Sequence, residues 1–485
     1  MRTTRFTAAA AAAGIAASAA FPAPAAAAAE PSGGAGGLTP AAVDAYLERA
    51  LEESGLPGIS VAVVRDGKVV HTAGYGHDSE GEPVTEDTPM RIASLSKSFT
   101  AMAVMTLVED GAIDLDGSVT DQLPEFSPAD PRADRITVRD LLNQTSGLSD
   151  TEIDVEGLRD ASSLEDYVSR LDGVRLASDP GTRMEYCNIN YDLAARLVEA
   201  ASGERFGDYV REAVFEPLGM EHSGLSDDEV PVADGHNSLY GLWIPRAERA
   251  DFNDDSGAGG VVSTAADMGR WLTAHTGGPA PVGEESLQAM YAPSEADDYA
   301  MGWSPETGPG GAELMVHSGN LFTYNAAQGF DPETGDGFAV MSNGAPIADE
   351  TYTLMLGLAA LGRGEDPEGP GTARKTTDAV LAALGALALG LGAAGVLRSR
   401  RWAARRTGRP AWRTVLRILP PLVPAALFAG YPGTVSLLSN GREVTWEQTL
   451  WFALPLTLTL AAAALAGLAT AAARLLRLRA AARRP

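Results

Sequence analysis

The stretch Ser94-Leu95-Ser96-Lys97-Ser98-Phe99-Thr100-Ala101-Met102 decides how the rest of the chain is read. From Ser94 to Glu109 the residues Phe99, Met102, Val104, Met105 and Val108 supply apolar faces at helical spacing, and Gly111 ends the run. Ser94 and Lys97 stand three apart and share a face of that helix. A helix start offers free N–H groups and a positive potential. A neutral lysine there can take the Ser94 proton, and the Ser94 N–H can donate to an oxyanion. A Ser three places before a Lys also arises by chance, so the pair needs support from elsewhere in the chain.

Lysine usage gives some. The only lysines are Lys68, Lys97 and Lys375, and every other basic residue apart from histidine is arginine. Lysine can release a proton in a protein and arginine effectively cannot. Lys68 and Lys375 read as ordinary surface residues, whereas Lys97 has a chemical reason to be there.

A second signal is Tyr186-Cys187-Asn188 within Met184–Tyr191. A phenol beside an amine can relay a proton to a leaving group, and a neighbouring amide can hold a substrate amide. Taken alone, Tyr-x-Asn reads equally as a buried tyrosine with a capping asparagine. The third signal is His317-Ser318-Gly319, where Gly319 permits close backbone approach. A lone histidine there also fits a structural role.

Around these signals the pattern is mixed. Gly58–Val64 and Lys68–Gly74 flank Arg65-Asp66-Gly67 as a hairpin with a tight Asp-Gly turn. A mainly helical stretch runs to about Glu216. Leu314–His317, Asn325–Phe330 and Gly337–Met341 return as strands, and Thr351–Leu361 closes as a helix. The expected fold class is α/β: an antiparallel sheet with flanking helices and an inserted all-helical lobe, with the active site in the cleft between.

In this order and context the chain resembles the penicillin-recognising serine hydrolases: class C β-lactamases, D-Ala-D-Ala carboxypeptidases and their esterase relatives. Leu141-Leu142-Asn143-Gln144-Thr145-Ser146-Gly147-Leu148, Gly259-Gly260-Val261-Val262-Ser263-Thr264 and Met301-Gly302-Trp303 carry the same resemblance, which covers roughly Leu38–Leu361. It implies that Ser94 is the acylated nucleophile and that Lys97 and Tyr186 are base and proton shuttle. Asn188, His317, Ser318 and Gly319 become substrate-binding residues. The backbone N–H groups of Ser94 and Asn320 become the oxyanion hole. Two positions depart from the pattern. His317 stands where many β-lactamases carry lysine, and Gln144 where relatives often carry histidine. The first weakens a β-lactamase reading, because a fixed cation there helps to hold a substrate carboxylate.

Composition narrows the function classes. A formal net charge of −27 disfavours nucleic acid as a partner. The single cysteine, Cys187, excludes an intramolecular disulfide framework and a cysteine-based zinc site. No metal or cofactor is expected.

Both ends suggest export and membrane attachment. Arg2 and Arg5, the Ala-rich run Phe6–Phe21 and small residues near Ala27 and Ala29 read as a signal peptide over 1–29. Residues 30–37 then form a linker, 38–363 the hydrolase domain and 364–378 a second linker. The membrane region 379–485 holds apolar segments at 379–397, 418–438 and 450–473, each long enough to cross about 30 Å of hydrocarbon. Arginines from Arg398 to Arg417 and from Arg474 to Arg484 mark the cytoplasmic side. The loop Ser439–Gln448 and everything before Arg374 then lie outside. Arg374 and Lys375 are a minor violation of that rule. Trp446 and Trp451 suit an interfacial belt.

The expectation is an exported, multi-pass cell-membrane serine peptidase or amidase acting on a small-molecule or peptide substrate that contains a D-amino acid. The layout resembles that of the colibactin-activating peptidase and its prodrug-cleaving relatives. A β-lactamase or broad esterase is the alternative enzyme, and an acylated penicillin sensor without turnover is the alternative of another class.

Overall fold

A computed structural model describes residues 37–225, 229–248, 256–346, 349–438 and 444–482. The signal peptide 1–29, most of the linker 30–37, Asn440, Arg442 and the last arginines, Arg483 and Arg484, lie outside the described residues.

Pro40–Ser54 (α1) leads into β1 (Gly58–Arg65) and β2 (Lys68–Gly76). Asp66 and Gly67 both take positive φ, 50° and 65°, so Arg65 faces Lys68 across the two-residue turn read from the sequence. β3 (Met90–Arg91) pairs with β6 (Val262–Ser263), and between them in the chain comes the hairpin β4 (Gly235–Leu239)–β5 (Leu242–Arg246). β7 (Ser304–Thr307), β8 (Glu313–Asn320), β9 (Asn325–Asp331) and β10 (Asp336–Ser342) complete the main sheet, in the order β2-β1-β10-β9-β8-β7. All its pairings are antiparallel. β11 (Gly344–Ala345) runs parallel to β4.

Alternation along β1 divides the interior into two cores. Ile59, Val61 and Val63 face the side of α1, while Ala62 and Val64 face the larger core. The larger core contains α2 (Ser96–Glu109) and the helical lobe, with α3 (Ile189–Ser202) packed on α2 and α4 (Ala265–His275) on the sheet. The smaller holds α1 and α5 (Glu350–Gly362). Nearly every side chain of α2 is buried, which gives the site a rigid floor.

The apolar C-terminal third is helical. α6 (Ala373–Leu397) and α10 (Leu454–Ala482) are each long and apolar enough to cross a membrane. Between them α7 (Ala411–Ala429) and α8 (Tyr431–Leu438) meet at 56°, and α9 (Trp446–Phe452) precedes α10. Pro420, Pro421 and Pro424 lie inside α7 without ending it. The expected third segment, 450–473, is interrupted at Ala453, so its long helix begins at Leu454. Small residues let these helices close up: a Cβ at Gly467 would overlap the Pro421 carbonyl, and Thr470 Oγ1 donates to Gly392 O at 3.2 Å.

Arg374 and Lys375 are not stray charges. Arg374 is 7% exposed and donates to Ser54 O at 2.6 Å, and Lys375 donates to Glu52 O at 2.7 Å. Both therefore satisfy carbonyls at the end of α1, where cations are favoured. The segment before them is also held, because Tyr46 Oη donates to Glu368 O at 3.0 Å.

Candidate active site

The nucleophile candidate does not open α2. It sits in a 3₁₀ turn, Ala93–Leu95, and α2 follows from Ser96. Ala93 adopts φ 53°, a left-handed conformation rare outside glycine. Ser96 ties the turn down: its Oγ donates to Ala93 O at 2.6 Å and accepts from Val261 N at 3.0 Å. Ser94 is left half-buried, with Lys97 Nζ 3.1 Å from its Oγ.

Lys97 is fully buried. Its Nζ also donates to Ala258 O at 2.7 Å, and it lies 4.9 Å from the Tyr186 ring centroid and 5.7 Å from that of Tyr191. A hydroxyl, a carbonyl and two aromatic faces thus fix the amine. The carbonyl is itself held. Asp192 Oδ1 accepts from Ser256 Oγ at 2.7 Å and from Ala258 N at 3.3 Å, and Thr100 Oγ1 donates to Gly257 O at 2.7 Å. A side chain at Gly257 would overlap the Tyr191 carbonyl, so only glycine lets this turn reach the helices. Burial pushes the Asp192 carboxyl above the usual range, partly offset by its hydrogen bonds to Ser256 and Tyr167 and by the charge on Lys97.

Tyr186 and Asn188 come from the loop that ends at α3. Gln144, with φ 59°, holds that loop from outside. Its Oε1 accepts from Cys187 N at 3.0 Å and from Asn190 Nδ2 at 2.5 Å, and its backbone O accepts from Glu185 N at 2.8 Å. The Asn188 Oδ1 atom is buried without a hydrogen-bond partner. A buried unpaired amide oxygen is costly, and a substrate N–H would satisfy it.

His317, Ser318, Gly319 and Asn320 end β8. A Cβ on Gly319 would stand 2.5 Å from Ile92 O and 3.0 Å from the Ala93 side chain, so glycine brings this strand end against the Ser94 turn. β7 pairs with β8 only as far as Ser304 opposite Val316, so that ladder stops short of His317. Both His317 ring nitrogens are engaged. Nδ1 donates to Ser318 O at 2.8 Å, which leaves Nε2 to accept from Tyr299 Oη at 3.1 Å. Burial, with a smaller contribution from the Lys97 charge, lowers the His317 pKa to about 3. His317 is therefore a neutral wall whose polar atoms are already occupied.

The structure thus links Ser94, Lys97, Tyr186 and the β8 end directly. The Tyr186 ring lies 6.4 Å from that of His317 and 6.0 Å from that of Tyr299. Asn188 stands at the α3 start, two positions after Tyr186. Sequence reading missed the Ala258 carbonyl, Asp192 and Tyr299, and saw Gln144 without a consequence. Asp192 directly follows the Met184–Tyr191 stretch, and Tyr299 lies two residues before Met301-Gly302-Trp303; nothing else in the sequence marked them.

The family model described as Beta-lactamase matches residues 43–361. Protein flp of Staphylococcus aureus (strain MW2) is 26% identical over 315 residues, which is 62% of this chain and 62% of that protein. The chain thus spans less than two thirds of the length of such curated relatives. Among solved structures, the octameric penicillin-binding protein homologue from Pyrococcus abyssi superposes with a TM-score of 0.59 at 26% identity, covering 68% of this chain and 78% of the other. The D-amino acid amidase from Ochrobactrum anthropi SV3 gives 0.55 at 26% identity, covering 67% and 97%.

Proposed function

Because this chain belongs to the β-lactamase family of serine hydrolases, we propose that it forms an acyl-enzyme at Ser94 and cleaves an amide next to a D-amino acid. The observation that carries the reading is the 3.1 Å contact between Lys97 Nζ and Ser94 Oγ, with the lysine held by the Ala258 carbonyl. Ser94 Oγ attacks the substrate carbonyl carbon, and its proton passes to Lys97 and Tyr186. The backbone N–H groups of Ser94 and Asn320 take the charge of the tetrahedral oxygen. The amine leaves with a proton from the same pair, and water then hydrolyses the ester at Ser94. Asn188, with its unpaired Oδ1, receives the substrate amide N–H. The edge of β8 beyond Val316 accepts the substrate backbone.

A neutral, fully engaged His317 favours a substrate whose recognised portion is uncharged over a carboxylate-bearing β-lactam. The likeness to a D-amino acid amidase supports an amide next to a D-amino acid as the bond that is cleaved. The catalytic domain would face outward on a multi-pass anchor. Trp451 and Leu450 of α9 contact the hydrolase domain, so the chain is back on that side by α9. Arg474 of α10 meets Arg417 of α7, in the arginine-rich set assigned to the cytoplasm. On this reading α7 and α8 together make one bent crossing.

The test is intact mass of the protein after exposure to a fluorescent penicillin and to a panel of N-acyl-D-amino-acid amides, with kcat/KM for each. Adduct formation on wild type and none on Ser94→Ala supports the reading. Efficient cephalosporin turnover by wild type would replace it with the β-lactamase alternative.

A further inference from the structure

The turn beyond Asn320 is fastened to the membrane region by ring contacts and by hydrogen bonds that converge on one buried side chain. Asn237, on β4, is 2% exposed. Its Nδ2 donates to Phe322 O at 2.7 Å and to Trp451 O at 3.2 Å. An amide NH₂ has two hydrogens, and here one holds the β8–β9 turn while the other holds α9. Its Oδ1 accepts from Arg246 Nη1 at 3.1 Å. That same nitrogen donates to Leu450 O at 3.2 Å, and the guanidinium carbon stands 3.1 Å from the Trp451 ring centroid.

The turn has further contacts on the same side. The Phe322 ring lies 5.4 Å from Trp451 and 4.6 Å from Phe452, centroid to centroid. Glu248 accepts from Phe322 N at 3.2 Å and from Thr323 N at 2.9 Å, and Leu321 N donates to Tyr324 O at 2.9 Å. At the turn's base the side chains of Asn320 and Asn325 are hydrogen-bonded to each other. Asn320 is therefore two residues from a carbonyl whose position is shared with α9.

We propose that Asn237 is a positioning residue for the oxyanion hole, and that through it the membrane region sets the geometry of the active site as well as its location. The inference rests on the oxyanion role given to Asn320 above. An oxyanion donor stabilises only an atom it meets at hydrogen-bond distance in the transition state, so a displacement of about 1 Å can cost about a hundredfold in rate. A turn held by α9 keeps Asn320 in place. Loosening that hold lowers kcat while leaving ground-state binding nearly intact.

The experiment uses the full chain in detergent and a small water-soluble activated ester, which needs no membrane to reach the site. Asn237→Asp removes both donated bonds at nearly constant volume. Trp451→Ala keeps the backbone acceptor but removes the stacked ring. Leu389→Ala, on the exposed face of α6, is the control. The expected result is a fall in kcat of about tenfold or more for Asn237→Asp, with KM within about twofold. Trp451→Ala should fall in the same sense, the double variant should lose less than the product of the two, and Leu389→Ala should match wild type. If Asn237→Asp fails to fold, the kcat of Trp451→Ala decides. Unchanged kcat in the folded variants, with wild type labelled by a serine-reactive phosphonate and turning over, overturns this inference alone. A wild type that is neither labelled nor active removes the functional reading and this inference with it.

Discussion

The side-chain carbonyl of Gln144 accepts the backbone N–H of Cys187 at 3.0 Å, so the loop carrying Tyr186 and Asn188 is held by a residue 43 positions upstream. The same oxygen takes Asn190 Nδ2 at 2.5 Å. Gln144→Ala leaves both buried donors unpaired, at about 1–3 kcal/mol each. The expected outcome is a lower melting temperature together with a fall in kcat/KM of about tenfold or more. Gln144→Glu keeps the acceptor oxygen and should retain more activity. Equal losses in the two variants would show that the oxygen is not what positions the loop.

Lys97→Arg should be nearly as damaging as Lys97→Ala. The pocket that holds the amine against Ser94 and Ala258 is fully buried and shaped for one nitrogen. A guanidinium overfills it and cannot release a proton at working pH. The rate of phosphonate labelling at Ser94 measures this directly. An arginine variant that labels at the wild-type rate would reduce Lys97 to a fixed cation.

Two buried histidines make stability fall in acid. Burial holds both His275 and His317 near a pKa of about 3, against 6.5 in the unfolded chain. Between those values the unfolded state binds more protons, so stability rises with pH. It is fully present above about pH 6.5 and is lost progressively toward pH 3. Each histidine contributes a slope of up to about 1.4 kcal/mol per pH unit. His317→Gln keeps a donor and an acceptor without the titration. Denaturant unfolding from pH 7 to pH 4 should show a shallower slope in that variant, and parallel curves would exclude His317 as a contributor.

His317→Lys should shift preference toward carboxylate-bearing substrates. The new ammonium replaces a neutral ring that bonds Tyr299 and its own strand. It introduces the cation that a β-lactam carboxylate needs, and it also releases the Tyr299 hydroxyl. The ratio of kcat/KM for a chromogenic cephalosporin to that for an N-acyl-D-amino-acid amide should rise. A constant ratio would place carboxylate recognition elsewhere.

A reporter fused after Arg406 should read as cytoplasmic and one fused after Asn440 as external. A cytoplasmic signal at Asn440 would make the α7–α8 bend a re-entrant loop instead of a crossing.

Legibility in the sequence followed locality. The Asp66-Gly67 turn, the α2 helix and the Ser94/Lys97 pair were readable because each is set by residues a few positions apart. The strands β8, β9 and β10 were placed in the sequence, each at least one residue shorter than the structure has it. The 3₁₀ turn at Ala93–Leu95 was not readable, because its left-handed residue is an alanine held by long-range bonds to Val261 and by Gly319. Asp192 and the Ala258 carbonyl act across 66 positions, and a backbone oxygen leaves no trace in residue identity. The β4–β5 hairpin passed unnoticed because Tyr240-Gly241 is an uncommon turn pair and the strands around it alternate weakly.

The grip of Arg374 and Lys375 on the end of α1 changes how this enzyme searches for its target. A free tether of the ten residues between α5 and α6 would let a head group wander by about 17 Å from its root and tumble while doing so. Here the tether is bonded along its way at Glu368, and Asp378 of the first long apolar helix takes Ser238 Oγ and Gly241 N. The catalytic cleft is thereby presented at one height and one tilt relative to that helix. With α6 across a bilayer, as proposed above, exploration falls to the partner, and molecules must diffuse to a mouth whose tilt is fixed by that helix.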